Sequence, residues 1–87
     1  MSRQRSMEVI QAAEYVTIGE LVRLSGVRYS TLKFYTEEGM LPFEQAGENL
    51  TRRYRRKESL ARIAEIKALR AEGKSVPEVK ALLDAAK

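Results

Sequence analysis

The 87-residue chain contains no cysteine and no histidine. The first absence rules out disulfides and thiolate metal sites. The second removes the commonest general base and the commonest metal ligand. Catalysis would have to rest on carboxylates, lysine or tyrosine, and the sequence gathers none of these into a recognisable constellation. No apolar run approaches the ~20 residues that a membrane span needs. Arg3 and Arg5 are followed by no apolar segment of the signal-peptide kind. No internal repeat is visible. The expectations that follow are a non-enzyme with no cofactor, no metal and no membrane partner, located in the cytoplasm.

The chain does have charge. Sixteen Lys and Arg stand against twelve Asp and Glu, a formal balance of +4. That balance is compatible with a polyanionic partner without demanding one, so the distribution of charge has to decide. The length suits one small domain with one modest core.

The stretch Gly26 to Gly39 organises the rest. It opens after a Ser25–Gly26 turn and ends at Gly39, a residue suited to the left-handed turn after a helix. Pro42 then prevents resumption. At 100° per residue, Thr31, Leu32 and Tyr35 fall on one side, and Tyr29, Ser30, Lys33 and Glu37 on the other. A helix over 28–38 therefore packs through one side and shows a polar, partly basic side outward. Before it, Thr17-Ile18-Gly19-Glu20 reads as a capping box, with Val16 and Leu21 as a hydrophobic staple. A helix from Ile18 to about Leu24 follows, burying Ile18, Leu21 and Val22. Thr17, at a helix start, has phosphate binding as a second use. Two short helices across a tight turn, with Val27 plugging it, suggest a helix-turn-helix.

Residues 1–15 read as a tail. Met7 to Glu14 could make a helical turn or two but shows no clear cap. The functional alternative is that Arg3 and Arg5 add nonspecific phosphate attraction. Residues 41–54 read as a β-hairpin: Leu41 and Phe43 on one arm, a polar tip near Ala46–Glu48, and the alternating Leu50–Tyr54 on the other. Beside a helix-turn-helix, such a hairpin is a wing. Arg52-Arg53-Tyr54-Arg55-Arg56-Lys57 is the densest charge signal, placed where phosphates would flank an inserted helix. Tyr54 is expected to pack on the core. A long helix over 58–72, with Leu60, Ile63, Ile66 and Leu69 inward, stops at Gly73. Ser75-Val76-Pro77-Glu78 is a second capping box. It opens a last helix over 76–85 that buries Val76, Val79, Leu82 and Leu83, with Ala86 as a candidate extension.

Val16-Thr17-Ile18-Gly19-Glu20-Leu21, then Thr31-Leu32-Lys33-Phe34-Tyr35, then Glu38-Gly39-Met40-Leu41-Pro42 form a series of recognisable words. Asn49, Arg52 and Tyr54 continue it, and Leu60–Gly73 and Ser75–Leu83 close it. In this order they resemble the N-terminal winged-helix DNA-binding domain of MerR-type transcription regulators, over about Tyr15 to Leu83. The resemblance implies a mainly α fold, a winged helix-turn-helix over 16–87. It implies sequence-specific binding of double-stranded DNA, with the helix at 28–38 in the major groove and the wing on the backbone. It places Thr17 at a phosphate, Lys33 toward the DNA, and Arg52 at the backbone or adjacent minor groove. Arg28 stands where a capping Ser is usual, Ser30 where an Arg is common, and Phe34 where Tyr is commoner. Asn49-Leu50-Thr51-Arg52 lacks the Gly and Tyr of the usual wing.

Base reading is thus expected from Arg28, Tyr29, Ser30 and Lys33, and phosphate neutralisation from Arg52, Arg53 and Arg55. Arg28, at the cap, has phosphate as its alternative. A nucleoid-associated protein follows. The chain stops about where such regulators begin a long dimerising helix. It is either a fragment of a longer regulator or a stand-alone winged-helix protein, expected as a monomer as this chain and as a dimer only if a longer C-terminal helix exists in a parent protein. An excisionase-like or packaging-type architectural role is the alternative function, and a protein-interaction module that has lost DNA contact is a third.

Overall fold

The computed structural model describes residues 5–45, 47 and 50–85. Five helices and two short strands run in the order α1 (Met7–Ala12), β1 (Tyr15–Val16), α2 (Ile18–Ser25), α3 (Tyr29–Glu37), β2 (Tyr54–Arg55), α4 (Arg56–Ala71), α5 (Val76–Ala85).

The N-terminal segment departs from the tail expected for it. Residues 1–4 lie outside the described residues, but Arg5 to Tyr15 are folded. Ser6 caps α1, its hydroxyl accepting from the Val9 N–H at 3.3 Å. Ile10 is fully buried in the core shared with α2, α3 and α4. A six-residue helix is too short to stand alone. It exists because Ser6 caps it locally and the domain beneath it buries Ile10.

Both capping boxes form. The Thr17 hydroxyl accepts from the Glu20 N–H at 3.2 Å, and the Glu20 carboxylate accepts from the Thr17 N–H at 2.9 Å. Ser75 and Glu78 make the same exchange at 3.3 and 2.9 Å. Val16 and Leu21, the staple, lie in the same buried cluster. α4 begins two residues before the expected start, which brings Arg56 and Lys57 into its first turn.

The core has two parts. Ile10, Val16, Leu21, Leu32, Leu41, Tyr54 and Ile63 form one, and Met40, Ile66, Val79 and Leu83 the other. Tyr35 packs against both, so α3 sits where they join. Leu82 corrects the sequence reading: it is 44% exposed, and α5 docks through Val79 and Leu83 instead. Val79 and Leu83 are four residues apart and share one face; Leu82 lies one step off it. Ala86 lies outside the described residues.

The wing is also less regular than a ladder over 41–54. Among the described residues its arms meet at one antiparallel pair, Glu44 and Arg53, whose backbones exchange both hydrogen bonds at 2.8 Å. The chain then leaves the hairpin, and β2 pairs with β1, Tyr15 opposite Arg55 and Val16 opposite Tyr54. Leu50 and Thr51 belong to no strand; the Leu50 N–H bonds to the Gly47 carbonyl at 3.1 Å. Pro42 has no N–H to give a longer ladder, and the alternation in Leu50–Tyr54 could not say which partner it would find. Of the expected tip, Ala46 and Glu48 lie outside the described residues, as does Asn49.

Candidate nucleic-acid interface

The helix pair is held across a tight corner. Gly26 takes φ 73°, the left-handed conformation that ends α2. The Ser25 hydroxyl donates to the Leu21 carbonyl at 2.7 Å and accepts from the Val27 N–H at 3.2 Å. Val27, half-buried, packs against the core.

α3 then starts without a side-chain cap. Arg28 is its N-cap residue and makes no capping hydrogen bond. The far end is closed by a Schellman motif: the Met40 N–H bonds to the Tyr35 carbonyl at 2.9 Å and the Gly39 N–H to the Thr36 carbonyl at 3.1 Å, with Gly39 at φ 77°. Met40 is buried in the cluster that Tyr35 packs on, which is the apolar contact that completes the motif. The facing of α3 agrees with its periodicity. Leu32 is fully buried, Thr31 and Tyr35 are half-buried, and Tyr29, Ser30, Lys33 and Glu37 are exposed. Phe34, 43% exposed, extends this outward arc.

Thr36 carries no signal in the apolar periodicity, yet it is buried. Its hydroxyl donates to the Leu32 carbonyl at 2.9 Å and shares a second hydrogen bond of 3.0 Å with the Tyr54 hydroxyl. Tyr54 is fully buried. The wing is thus tied to α3 through a polar contact inside the core. Among the described residues no buried side-chain polar atom lacks a partner.

The cations sort into two groups. One group is committed to the fold. Arg5 forks onto the Glu20 carboxylate with two contacts of 2.6 Å and reaches the Tyr15 carbonyl at 3.1 Å. This bidentate partner, helped by the Thr17 N–H, holds the Glu20 carboxyl down at about 2 against the opposing effect of burial. Arg23 donates to the Arg5 carbonyl at 2.6 Å. Arg56 donates to the Ala13 carbonyl at 2.8 Å. Arg55 lies over the Tyr15 ring at 5.2 Å, with Glu14 at 3.6 Å. In α4 and beyond, Arg62, Lys67 and Arg70 donate to backbone carbonyls, and Lys74 and Lys80 lie near glutamates.

The other group has no acceptor among the described residues: Arg28, Lys33, Arg52, Arg53 and Lys57. Arg28 stands at the start of α3, Lys33 sits on its outward arc, Arg52 and Arg53 form the returning arm of the wing, and Lys57 lies in the first turn of α4. The Arg52 guanidinium carbon lies over an aromatic ring, 4.7 Å from the centroid of Phe43.

The expected site is therefore divided. Arg28, Lys33, Arg52 and Arg53 keep free donors, and Tyr29 and Ser30 are exposed at the start of α3. Thr17 is half-buried at the start of α2, its hydroxyl oxygen engaged and its own proton still available. Arg55 is paired, because β2 carries it beside β1 and Glu14 rather than out along the wing. Lys57 is a free cation that sequence reasoning did not single out. The densest part of the basic run contained it, but only the bond from Arg56 to the Ala13 carbonyl distinguishes the two. Among the described residues no group of acidic side chains is arranged to hold a metal, and no helix is long and apolar enough to cross a membrane.

Two helices across a glycine corner and a wing bonded to the second of them define a protein of the winged helix-turn-helix class. Within that class the particular lineage is shown by sequence. The chain belongs to the MerR HTH family of regulatory proteins, whose family description matches residues 16–86. With the family comes the coarse function, DNA binding in transcription regulation. Neither a curated protein nor a solved structure matches the chain.

Proposed function

We propose that α3 enters the major groove of double-stranded DNA and reads base edges there, while the wing rides on the flanking backbone. The observation that carries this reading is the sorting of the cations: those without a protein acceptor lie on α3 and the wing arm, with Lys57 just beyond. An α-helix fits the major groove, and side chains near its start meet the bases. Tyr29, Ser30 and Lys33 are exposed at that end. Lys33 can donate to the two guanine acceptors, and Tyr29 and Ser30 can donate or accept. Arg28 is placed for a base or for the nearest phosphate. Arg52 and Arg53 neutralise phosphates beside the groove, with Lys57 as a further contact and Thr17 donating its hydroxyl proton at the start of α2. Arg55 contributes charge from beside Glu14 rather than a direct contact.

The test begins with selection of a site from a random duplex library, followed by single-base variants of that site at fixed salt. Lys33→Ala is expected to lose ~1–3 kcal/mol of discrimination at one position. Arg52→Ala is expected to weaken all sites about equally, because phosphate contacts carry no direct sequence information. The assignment fails if Lys33→Ala shifts every site uniformly while Arg52→Ala reorders them.

A further inference from the structure

We infer that Phe43 is a positioning residue for DNA binding: its ring is the platform that aims the Arg52 guanidinium out of the wing. The inference rests on the reading of Arg52 as a phosphate contact and gives that contact its mechanism.

The geometry is a chain of three groups in contact. The Arg52 guanidinium carbon lies 4.7 Å from the Phe43 centroid, well inside the ~6 Å over which a cation is held by a ring face. The Phe43 ring in turn meets the Tyr54 ring, centroids 6.2 Å apart and tilted by 48°. Tyr54 is fully buried, and its hydroxyl is bonded to Thr36 of α3. Arg52 and Tyr54 are two residues apart on an extended arm, so they share a face, and Phe43 on the facing arm meets both. The platform is therefore anchored in the core next to α3, not in the wing alone.

An arginine loses rotamer freedom when it is ordered. A stack restrains the guanidinium by its face and leaves its five N–H donors, all in the guanidinium plane, free for an anion. An ion pair would have consumed those donors, as it does at Arg5. Phe43 is itself exposed at 38%, and holding Arg52 gives the exposed part of its ring a use.

The test uses the full chain and a mixed-sequence duplex over a range of salt. Phe43→Leu, which keeps apolar volume but removes the ring face, is expected to weaken binding about two- to fivefold on every sequence. Phe43→Trp, the strongest partner for a cation, is expected to restore or exceed the native affinity. In the Arg52→Ala background Phe43→Leu is expected to do nothing further. In the free protein the Arg52 side-chain proton resonances are expected to be shifted upfield by the ring, and to move to ordinary positions in Phe43→Leu. An unshifted Arg52 in the native protein overturns the stack itself. Affinity losses from Phe43→Leu and Arg52→Ala that multiply, or a Trp variant as weak as Leu, overturn the positioning role. A shifted Arg52 whose removal leaves affinity unchanged would instead bring down the phosphate reading of the wing, and the inference with it.

Discussion

At the scale of single residues, the side chains with the clearest consequences are Leu32 and Thr36, both on the inner side of α3. Leu32 is fully buried in the cluster that joins α2, α3 and α4. Leu32→Ala is expected to cost ~2–5 kcal/mol, measured by denaturant unfolding. A change within ~0.5 kcal/mol, the scale of an exposed site, would mean that α3 faces the other way. Thr36→Val keeps the shape but leaves the buried Tyr54 hydroxyl without its partner, an expected cost of ~1–3 kcal/mol. Tyr54→Phe in the Thr36→Val background is expected to recover part of that cost, since removing both polar groups leaves nothing unsatisfied. Leu32 was legible in the sequence from periodicity alone. Thr36 was not: a threonine in a helix is polar by composition, and only the approach of Tyr54 from a distant part of the chain makes the inward position worthwhile.

At the scale of elements, the helices were read to within about two residues because their ends carry local chemistry. Two capping boxes and the glycines at 26, 39 and 73 mark starts and stops whatever surrounds them. Gly39 shows the strength of that signal: at φ 77° any other residue is strained, and Gly39→Ala is expected to cost ~1–2 kcal/mol by denaturant unfolding. The elements that escaped reading are those made by distant partners. α1 depends on a pocket for Ile10, and β2 pairs with β1, near the start of the chain, rather than with the nearer arm of the wing. The α1–α2 joint also sets a pH dependence. Glu20 is held at about 2, below its ordinary value of 4.5. A carboxylate depressed in the folded state stabilises above its unfolded value and loses that contribution as pH falls through the folded one. Stability is therefore expected to decline between about pH 5 and pH 2. Thermal unfolding across that range is expected to show a shallower decline in Arg5→Ala.

At the scale of the whole molecule, the distribution of charge matters more than its total. Most of the described cations are tied to acceptors or acidic neighbours, and those left over lie on α3 and its cap, the wing arm and the start of α4. Removing one phosphate contact is expected to reduce the slope of log affinity against log salt by about 0.9. Arg52 and Arg53 replaced together by Ala should thus lower both affinity and slope; an unaltered slope would take the wing off the backbone. Sequence reading found the basic run but could not divide it, because which arginine is consumed internally depends on where β2 and α4 lie. Assembly is a separate matter. α5 spans ten residues, short of the several heptads a coiled coil needs. These 87 residues taken alone are expected to sediment as a monomer without DNA, a parent protein with a longer C-terminal helix as a dimer.

The Glu20 carboxylate answers two segments at once: the backbone of Thr17, as the capping box requires, and the fork of Arg5. A glutamine would serve the first as well as a glutamate does but could not balance the second. The two positions are therefore expected to vary together in descent. Where a lineage loses the arginine at position 5, position 20 is released to drift to glutamine with its helix still capped. Where the arginine stays, an acid is required opposite it. An alignment of sequences descended from a common ancestor with this one should show that dependence in one direction only.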